Sequence, residues 1–247
     1  MLLSIAILLL AIIVGIYVIV HLSKHKNKNE ITDVMNGGLT DELKDSDLYE
    51  DMSGGGSFCF IGDSITNGTY TDGIPWYQPL ATYISGEIMN FSQKGWMVQD
   101  LIEHRNEIPV ADNYVIAIGI NDVLFHNYEN ASVTATEYIE NIEELSAILL
   151  EISPKAKLYF ITPWVFFGLD DIYFERGNQY RTALIEWCND SDFICINPEP
   201  IILSVIDKNN VKDYMYDSIH PNATGGAALY SYAVLKDSHD QRKAAPN

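Results

Sequence analysis

The residues Phe58-Cys59-Phe60-Ile61-Gly62-Asp63-Ser64 run from an apolar stretch straight into a small polar turn. A short, continuous apolar run is typical of a strand covered on both faces, as in a parallel sheet. Amphipathic helical patterns separate this run from similar ones further along the chain. The other predicted strands are 114–118, 158–161, 193–196 and, more weakly, 87–91. The alternation predicts a three-layer α/β/α fold with a five-stranded parallel sheet, which binds ligands beyond the C-terminal strand ends.

Residues that can carry chemistry follow several of these strand ends. Ser64 fits either a helix cap or a nucleophile, and Gly95 either a plain turn or a close approach to a ligand. Asn121 favours a turn but also offers an amide donor of the kind that holds an oxyanion. Asp217 and His220 are close enough along the chain for the carboxylate to fix the imidazole tautomer. Together these residues supply a nucleophile, oxyanion donors, a base and its orienting group.

The blocks Gly62-Asp63-Ser64, Gly95, Gly119-Ile120-Asn121-Asp122 and Asp217-Ser218-Ile219-His220 resemble, in order and spacing, the four blocks of the SGNH hydrolases, the GDSL esterase superfamily. The resemblance spans about residues 57–236. It implies a flavodoxin-like sheet and no metal or organic cofactor.

By the same resemblance, Ser64 is the nucleophile, His220 the base and Asp217 its partner. The backbone N–H groups of Ser64 and Gly95 and the amide of Asn121 then form the oxyanion hole. Lys94 and Trp96 replace the small residues that usually flank the second block, which leaves the substrate preference open.

An uncharged apolar segment occupies residues 2–20, and fourteen of its nineteen residues are Leu, Ile or Val. Its length matches the hydrocarbon thickness of a bilayer, and its composition favours insertion by roughly 4–8 kcal/mol. It exceeds the usual apolar core of a signal peptide, and no small-residue cleavage site follows it. The sequence therefore predicts a single transmembrane helix within residues 1–22.

Residues 23–56 are predicted to be a flexible acidic linker, because eight acids and one Lys fall between Glu30 and Met52. The hydrolase domain is predicted over 57–236 and a polar, frayed tail over 237–247. A chain that starts near Ser53 is accordingly expected to be soluble and active. Lys24, Lys26 and Lys28 favour a cytoplasmic domain, whereas the family analogy favours an outward-facing one.

The net charge of −19 makes nucleic acid an unlikely partner, because such a field repels phosphate backbones. No Cys or His spacing indicates a metal site. The three cysteines are expected to be buried thiols, although the sequence leaves open whether Cys188 and Cys195 pair. The sequence does not indicate an oligomeric state.

Five Asn-x-Ser/Thr sequons occur, and those at Asn67 and Asn222 adjoin the proposed nucleophile and base. Glycans there would obstruct the site, so a membrane-tethered bacterial protein is the expectation. The expected activity is hydrolysis of a short acyl ester, such as O-acetyl on a carbohydrate, through an acyl-enzyme. Two alternatives remain open: an O-acyltransferase that uses the same acyl-enzyme, and a non-catalytic glycan-binding module. Aromatic residues predicted at the mouth of the site, at least half of them expected to be core, are Trp76, Tyr77, Trp96, Trp164, Phe166 and Phe167.

Overall fold

The computed structural model describes residues 12, 14, 18, 22, 26–125, 130–132, 134–191 and 193–244. Five parallel strands form one sheet in the order β2-β1-β3-β4-β5. The strands are β1 (Phe58–Gly62), β2 (Ile88–Ser92), β3 (Asn113–Ala117), β4 (Lys157–Ile161) and β5 (Ile194–Ile196). The predicted three-layer α/β/α architecture with a five-stranded parallel sheet is confirmed.

Burial explains why some strands were easier to predict than others. All residues of β1 and β3 are buried, because helices cover both faces of the sheet at its centre. Strand β2 lies at the edge, and none of its residues is fully buried, so its apolar run is weaker. Gly62 at the end of β1 pairs in register with Ser92 of β2 and Ala117 of β3. The turns that follow these three strands therefore leave the sheet at the same level.

The helices form a layer on each side of the sheet. One layer contains α6, α8 and α9, and the other is built around the C-terminal helix α12. The helices are α1 (residues 26–35), α2 (Asp41–Lys44), α3 (Asp47–Ser53), α4 (Ser64–Asn67), α5 (Gln78–Ala81), α6 (Val98–Glu103), α7 (Ile120–Leu124), α8 (Ala135–Ile152), α9 (Asp171–Ser191), α10 (Glu199–Val205), α11 (Val211–Tyr214) and α12 (Gly225–Ala244).

The segment predicted to be a flexible linker differs from that prediction. Within residues 23–56, helices α1, α2 and α3 pack on the domain, where α2 and α3 contact α12. Their apolar side chains join the main core and are at most 4% exposed. These core residues are Ile31, Val34, Leu43, Leu48 and Met52. The acidic average composition of the segment suggested a solvated chain, but the spacing of its few apolar residues places them on the side of the helices that faces the core.

Opposite charges on the domain compensate the acids of this segment. The Glu42 carboxylate lies 2.7 Å from Lys26 Nζ and 2.9 Å from Lys236 Nζ. These contacts hold the pKa of Glu42 down at about 2, chiefly through the hydrogen bonds from the two lysines. Glu30 accepts a hydrogen bond at 2.8 Å from the Tyr232 hydroxyl, and Asp51 pairs with Lys157. The like charges therefore do not keep this segment extended.

The predicted polar tail also differs from the structure. Helix α12 continues to Ala244, and Ser238 and His239 are buried within it. The Asp237 carboxylate accepts a hydrogen bond at 2.8 Å from the Asn197 backbone N–H, which ties the helix to the end of β5. Residues 245–247 lie outside the described part of the chain.

Most of the predicted membrane span at residues 2–20 lies outside the described residues. Its described members, Ile12, Val14 and Val18, are helical and exposed. Among the residues that the structure describes, no helix combines the length and the apolarity that crossing a bilayer requires.

All three cysteines are free and buried. Cys188 lies in α9 and Cys195 in β5, so neither belongs to an exposed surface that could exchange disulfides readily. The expectation of buried thiols is confirmed.

The burial of α1–α3 reverses the expectation for a chain that starts near Ser53. Each of the five core side chains in α1–α3 contributes about 1.5–3 kcal/mol, or roughly 8–15 kcal/mol together as an upper bound. The whole stability of a domain is about 5–15 kcal/mol. We therefore expect a chain starting at Ser53 to lose cooperative thermal unfolding, measured by circular dichroism. A chain starting at Lys24 should retain it, and equal Tm values for the two chains would contradict the prediction.

Candidate active site

The turn between β1 and α4 positions Ser64. A Cβ atom at Gly62 would lie 2.4 Å from Thr66 Oγ1 and 2.5 Å from the Ala117 carbonyl oxygen. No real side chain fits at such distances, so glycine allows the chain to leave the sheet here. Helix α4 then begins at Ser64, with Asp63 as its N-cap. The hydroxyl is thereby held at the C-terminal edge of the sheet.

Ser64, His220 and Asp217 form one hydrogen-bonded chain. Ser64 Oγ lies 2.9 Å from His220 Nε2, and His220 Nδ1 lies 2.8 Å from Asp217 Oδ2. A carboxylate can only accept, so Nδ1 carries the proton and donates to Asp217. Nε2 is then free to accept the serine proton. The geometry is that of a nucleophile, a general base and the group that orients the base.

A closed loop between α11 and α12 holds His220. Met215 and Pro221 form an antiparallel bridge, and the Tyr216 N–H donates to the His220 carbonyl at 2.8 Å. The Asn222 side chain accepts from the Gly226 N–H at 2.9 Å and so caps the start of α12. The imidazole is therefore fixed to a long buried helix, although it lies 156 residues from Ser64 along the chain.

The Asp217 carboxylate is ionised at neutral pH. Burial pushes its pKa up, but the backbone N–H groups of His220 and Ile219 and the imidazole more than offset this and hold the pKa below its usual range. Both backbone groups donate to Oδ1 at 2.7 Å. The carboxylate is thus fixed in position, and its charge stabilises a protonated His220.

The three groups predicted to donate to a developing oxyanion belong to turns at the same edge of the sheet. Within the described residues, the backbone N–H groups of Ser64 and Gly95 have no acceptor. Gly95 has a φ of +84°, a conformation that favours glycine, and a Cβ there would meet nothing within 4 Å, so the surface around this residue is open. Asn121 Nδ2 donates one hydrogen bond to the Trp96 carbonyl at 2.9 Å, which fixes the amide beside Gly95. The second N–H of the same amide remains available to a ligand.

A second hydrogen bond joins the serine turn to the Gly95 turn. Asn67 Nδ2, at the end of α4, donates to the Ser92 carbonyl at 2.9 Å. The three predicted donors therefore belong to turns that are tied to one another rather than to independent loops. Such a fixed arrangement is what stabilisation of transient charge requires.

Two buried carboxyl groups lie beneath the site. Asp63 is fully buried; its Oδ1 accepts a hydrogen bond from the Ile65 N–H at 2.9 Å, and its Oδ2 has no hydrogen-bond partner among the described residues. Burial, with a smaller contribution from nearby Asp122, raises the pKa of Asp63 to about 7. Burial also raises the pKa of Asp122 to about 6, although Ser132 donates two hydrogen bonds to it. The sequence blocks had marked both positions but not their protonation.

Most of the aromatic residues predicted at the mouth belong to the core. Trp76, Tyr77, Trp96, Trp164 and Phe166 are all less than 9% exposed, and only Phe167 of that group is partly exposed.

Sequence reasoning missed the aromatic rings that do lie at the mouth. The Tyr70 ring packs 4.0 Å from the His220 ring, measured between centroids, and Tyr216 is 63% exposed beside Asp217. Tyr216 could have been found, because it directly precedes the Asp-x-x-His block. Tyr70 lies six residues after Ser64 in a polar loop, where no periodic pattern marks it.

The sequence profile of the GDSL-like lipase/acylhydrolase family matches residues 60–228, which is more than half of the chain. The matched range includes every residue of the hydrogen-bonded set and the three residues predicted to donate to an oxyanion. Comparison with the curated proteins found no match.

Solved structures share the fold. A candidate GDSL-like lipase from Parabacteroides merdae superposes with a TM-score of 0.63 at 18% identity, covering 74% of this chain and 94% of that chain. An acetylxylan esterase from Geobacillus stearothermophilus gives a TM-score of 0.59 at 20% identity, covering 76% and 96%. A candidate lipolytic protein of the G-D-S-L family from Desulfitobacterium hafniense gives 0.57 at 17% identity, covering 72% and 97%.

The protonation of Asp63 makes stability depend on pH. Its pKa rises from 3.8 in the unfolded chain to about 7 in the folded one, so its contribution is fully present below pH 3.8 and is lost as pH rises through 7. We expect Asp63→Asn, which keeps the acceptor for Ile65, to unfold with a flatter pH dependence. Between pH 5 and 6.5, Asp63 makes the free energy of unfolding decrease with pH by up to about 1.4 kcal/mol per pH unit, and the variant should lose this contribution.

Urea unfolding at a series of pH values measures this slope. Asp112→Asn is a matched control, because the Asp112 carboxylate is on the surface and hydrogen bonds from Ser57 lower its pKa instead of raising it. Identical pH profiles for wild type and Asp63→Asn would show that Asp63 is ionised in the folded protein.

Proposed function

The chain belongs to the GDSL-like lipase/acylhydrolase family and is a serine hydrolase of ester bonds, and on this premise we propose that it removes a short acyl group, such as acetyl, from a carbohydrate through an acyl-enzyme on Ser64. The observation that carries the proposal is the continuous Ser64–His220–Asp217 chain of hydrogen bonds at 2.9 and 2.8 Å. A module that only bound glycans would have no use for a serine aligned with a base and an orienting carboxylate.

In the first step, Ser64 Oγ attacks the ester carbonyl while His220 Nε2 takes the hydroxyl proton. The negative charge of the tetrahedral intermediate falls on the former carbonyl oxygen. This oxygen accepts hydrogen bonds from the backbone N–H groups of Ser64 and Gly95 and from the Asn121 amide. Collapse of the intermediate breaks the bond to the alcohol, and His220 returns the proton to the leaving oxygen. Asp217 stabilises the imidazolium between these two transfers.

In the second step, water attacks the acyl-enzyme by the same route. His220 accepts a proton from the water, the oxyanion forms in the same place, and Ser64 leaves with the proton restored. If a sugar hydroxyl took the place of water, the enzyme would be an acyltransferase. Product analysis with and without a sugar acceptor separates the two outcomes.

Two features support a carbohydrate substrate. One solved structure with the same fold is an acetylxylan esterase. In this chain, an open groove runs beside Asp217 and presents the exposed ring of Tyr216. An exposed aromatic face beside a reacting centre suits a sugar ring, which offers an apolar face and a polar rim.

The nucleophile is the first point to test. Ser64→Ala should lower kcat for 4-nitrophenyl acetate by several orders of magnitude, because loss of a triad member leaves only binding and the oxyanion donors. A fluorophosphonate should label the wild type and not the variant. More than a tenth of the wild-type rate in a variant of unchanged Tm would exclude Ser64 as nucleophile.

Asn121→Ala is the matched comparison within the same site. It removes one oxyanion donor and keeps the nucleophile, so fluorophosphonate labelling should persist while kcat falls by about 10²–10³. An effect confined to KM would make Asn121 a ground-state binding residue instead.

We also propose that residues 2–20 attach the enzyme to a membrane. Lys26, one of the three lysines behind the cytoplasmic prediction, pairs with Glu42, so the charge that favours that side is partly compensated. The full chain should sediment with membranes and resist alkaline carbonate, and protease treatment of intact cells reports on which side the domain lies. A mature protein that lacks residues 1–20 would identify the segment as a cleaved signal peptide.

A further inference from the structure

Tyr70 lies against one side of the catalytic pair, which is Ser64 and His220. Its ring centroid is 4.0 Å from that of His220, 5.0 Å from Lys94 Nζ and 5.8 Å from the Tyr216 ring. The ring therefore reaches from the base to the residue next to Gly95. Ser64, beneath it, is only 5% exposed. An ester that reaches Ser64 must fit beside this ring.

The loop that carries Tyr70 is fixed to the serine turn. The Thr69 N–H donates to the Ser64 carbonyl at 3.1 Å, and the Gly73 N–H donates to the Gly68 carbonyl at 3.0 Å. Gly68 has a φ of +78°, and a Cβ there would lie 2.7 Å from the Ile74 backbone. The loop is thus closely packed on itself, and Tyr70 forms a rigid wall rather than a mobile cover.

Two spaces of different character adjoin the Ser64–His220–Asp217 set: Ser64 and His220 line the first, and Asp217 lines the second. On the Tyr70 side lies a narrow pocket of about 10 Å³, which is room for a single group of about the size of a water molecule or a methyl. Its lining includes the apolar side chains of Ile65, Trp76 and Ala227. On the Asp217 side lies the open groove with Tyr216 and Phe167. A small apolar group fits the first space, and a large polar group fits only the second.

On the basis of the proposed ester hydrolysis, we propose that Tyr70 limits the length of the acyl group, which occupies the narrow pocket, while the alcohol part of the substrate lies over Tyr216. Lys94 holds the wall in place from above, and no carboxylate in the described part of the chain lies within ion-pair distance of it. The Tyr70 phenol oxygen makes no hydrogen bond to any described residue, so the ring itself supplies the barrier.

The test measures kcat/KM for 4-nitrophenyl acetate, butyrate and hexanoate. Wild type should prefer acetate. Tyr70→Ala should raise the hexanoate-to-acetate ratio at least tenfold, since each methylene accommodated by an apolar pocket changes discrimination by about 10-fold or more. Tyr70→Phe should keep the wild-type ratio, because it retains the ring. Tyr70→Val serves the same comparison if the alanine variant does not fold.

Phe167→Ala is the control, because Phe167 lines the groove beside Asp217 and makes no ring contact with Tyr70 in the described part of the chain, whereas the Tyr216 ring lies 5.8 Å from that of Tyr70. It should leave the acyl-length ratio unchanged and raise KM for an acetylated xylo-oligosaccharide. Parallel acyl-length profiles for wild type and Tyr70→Ala would overturn the inference, as would a longer-chain preference created by Phe167→Ala. Absence of Ser64-dependent hydrolysis in the wild type would instead overturn the proposed function, so the two failures are distinguishable.

Discussion

The close contact between the end of β1 and its neighbours is the constraint on which the site depends. Gly62 lies so near Thr66 and the Ala117 carbonyl that only a residue without a side chain fits. The contact lets the chain turn sharply into α4, so that Ser64 emerges at the level of Ser92 and Ala117. Because parallel strands end together, the turns that carry Gly95 and Asn121 begin at this same level. The groups proposed to hold the oxyanion are consequently arranged before any substrate binds.

Buried acids beneath the site conflict with stability at neutral pH. Asp63 and Asp122 are both buried, and burial raises the pKa of both carboxyl groups. Asp63 caps α4 through one oxygen, while the other has no partner in the described residues. An ionised acid in this place is destabilising, whereas a protonated one still accepts the hydrogen bond that fixes the serine turn. The preorganised turn is thus maintained at some expense in stability as pH rises.

The N-terminal helices α1–α3 are packed on the domain, and this affects how residues 2–20 connect to it. Glu42 joins Lys26 of α1 to Lys236 of α12, and Ile31 and Val34 enter the main core. A membrane segment in residues 2–20 would therefore connect to a packed helix rather than to a loose tether. The orientation of the catalytic mouth relative to such a segment would then be restricted.

The strands and the site could be predicted largely from local pattern. Apolar runs such as 58–61 and 114–118 are long enough to identify buried strands, and α8 follows from Tyr138, Ile142 and Leu145 at helical spacing. The residues with chemical groups were found because they follow strand ends in a fold that brings those ends together. The structure places Ser64, His220 and Asp217 in one hydrogen-bonded chain, as the pattern implied.

Features that depend on partners distant in sequence could not be predicted in this way. The acidic segment looked solvated, because the cations that pair with it, Lys157 and Lys236, lie more than a hundred residues away. Tyr70 looked like an ordinary loop residue until the fold placed His220 against it. The sequence by itself determined the strands, the order of the turns that carry the reactive residues, and the residue types at the site. Only the tertiary structure decided which acids have a raised pKa, which helices complete the core and which ring bounds the site, because burial and pairing are properties of the packed chain.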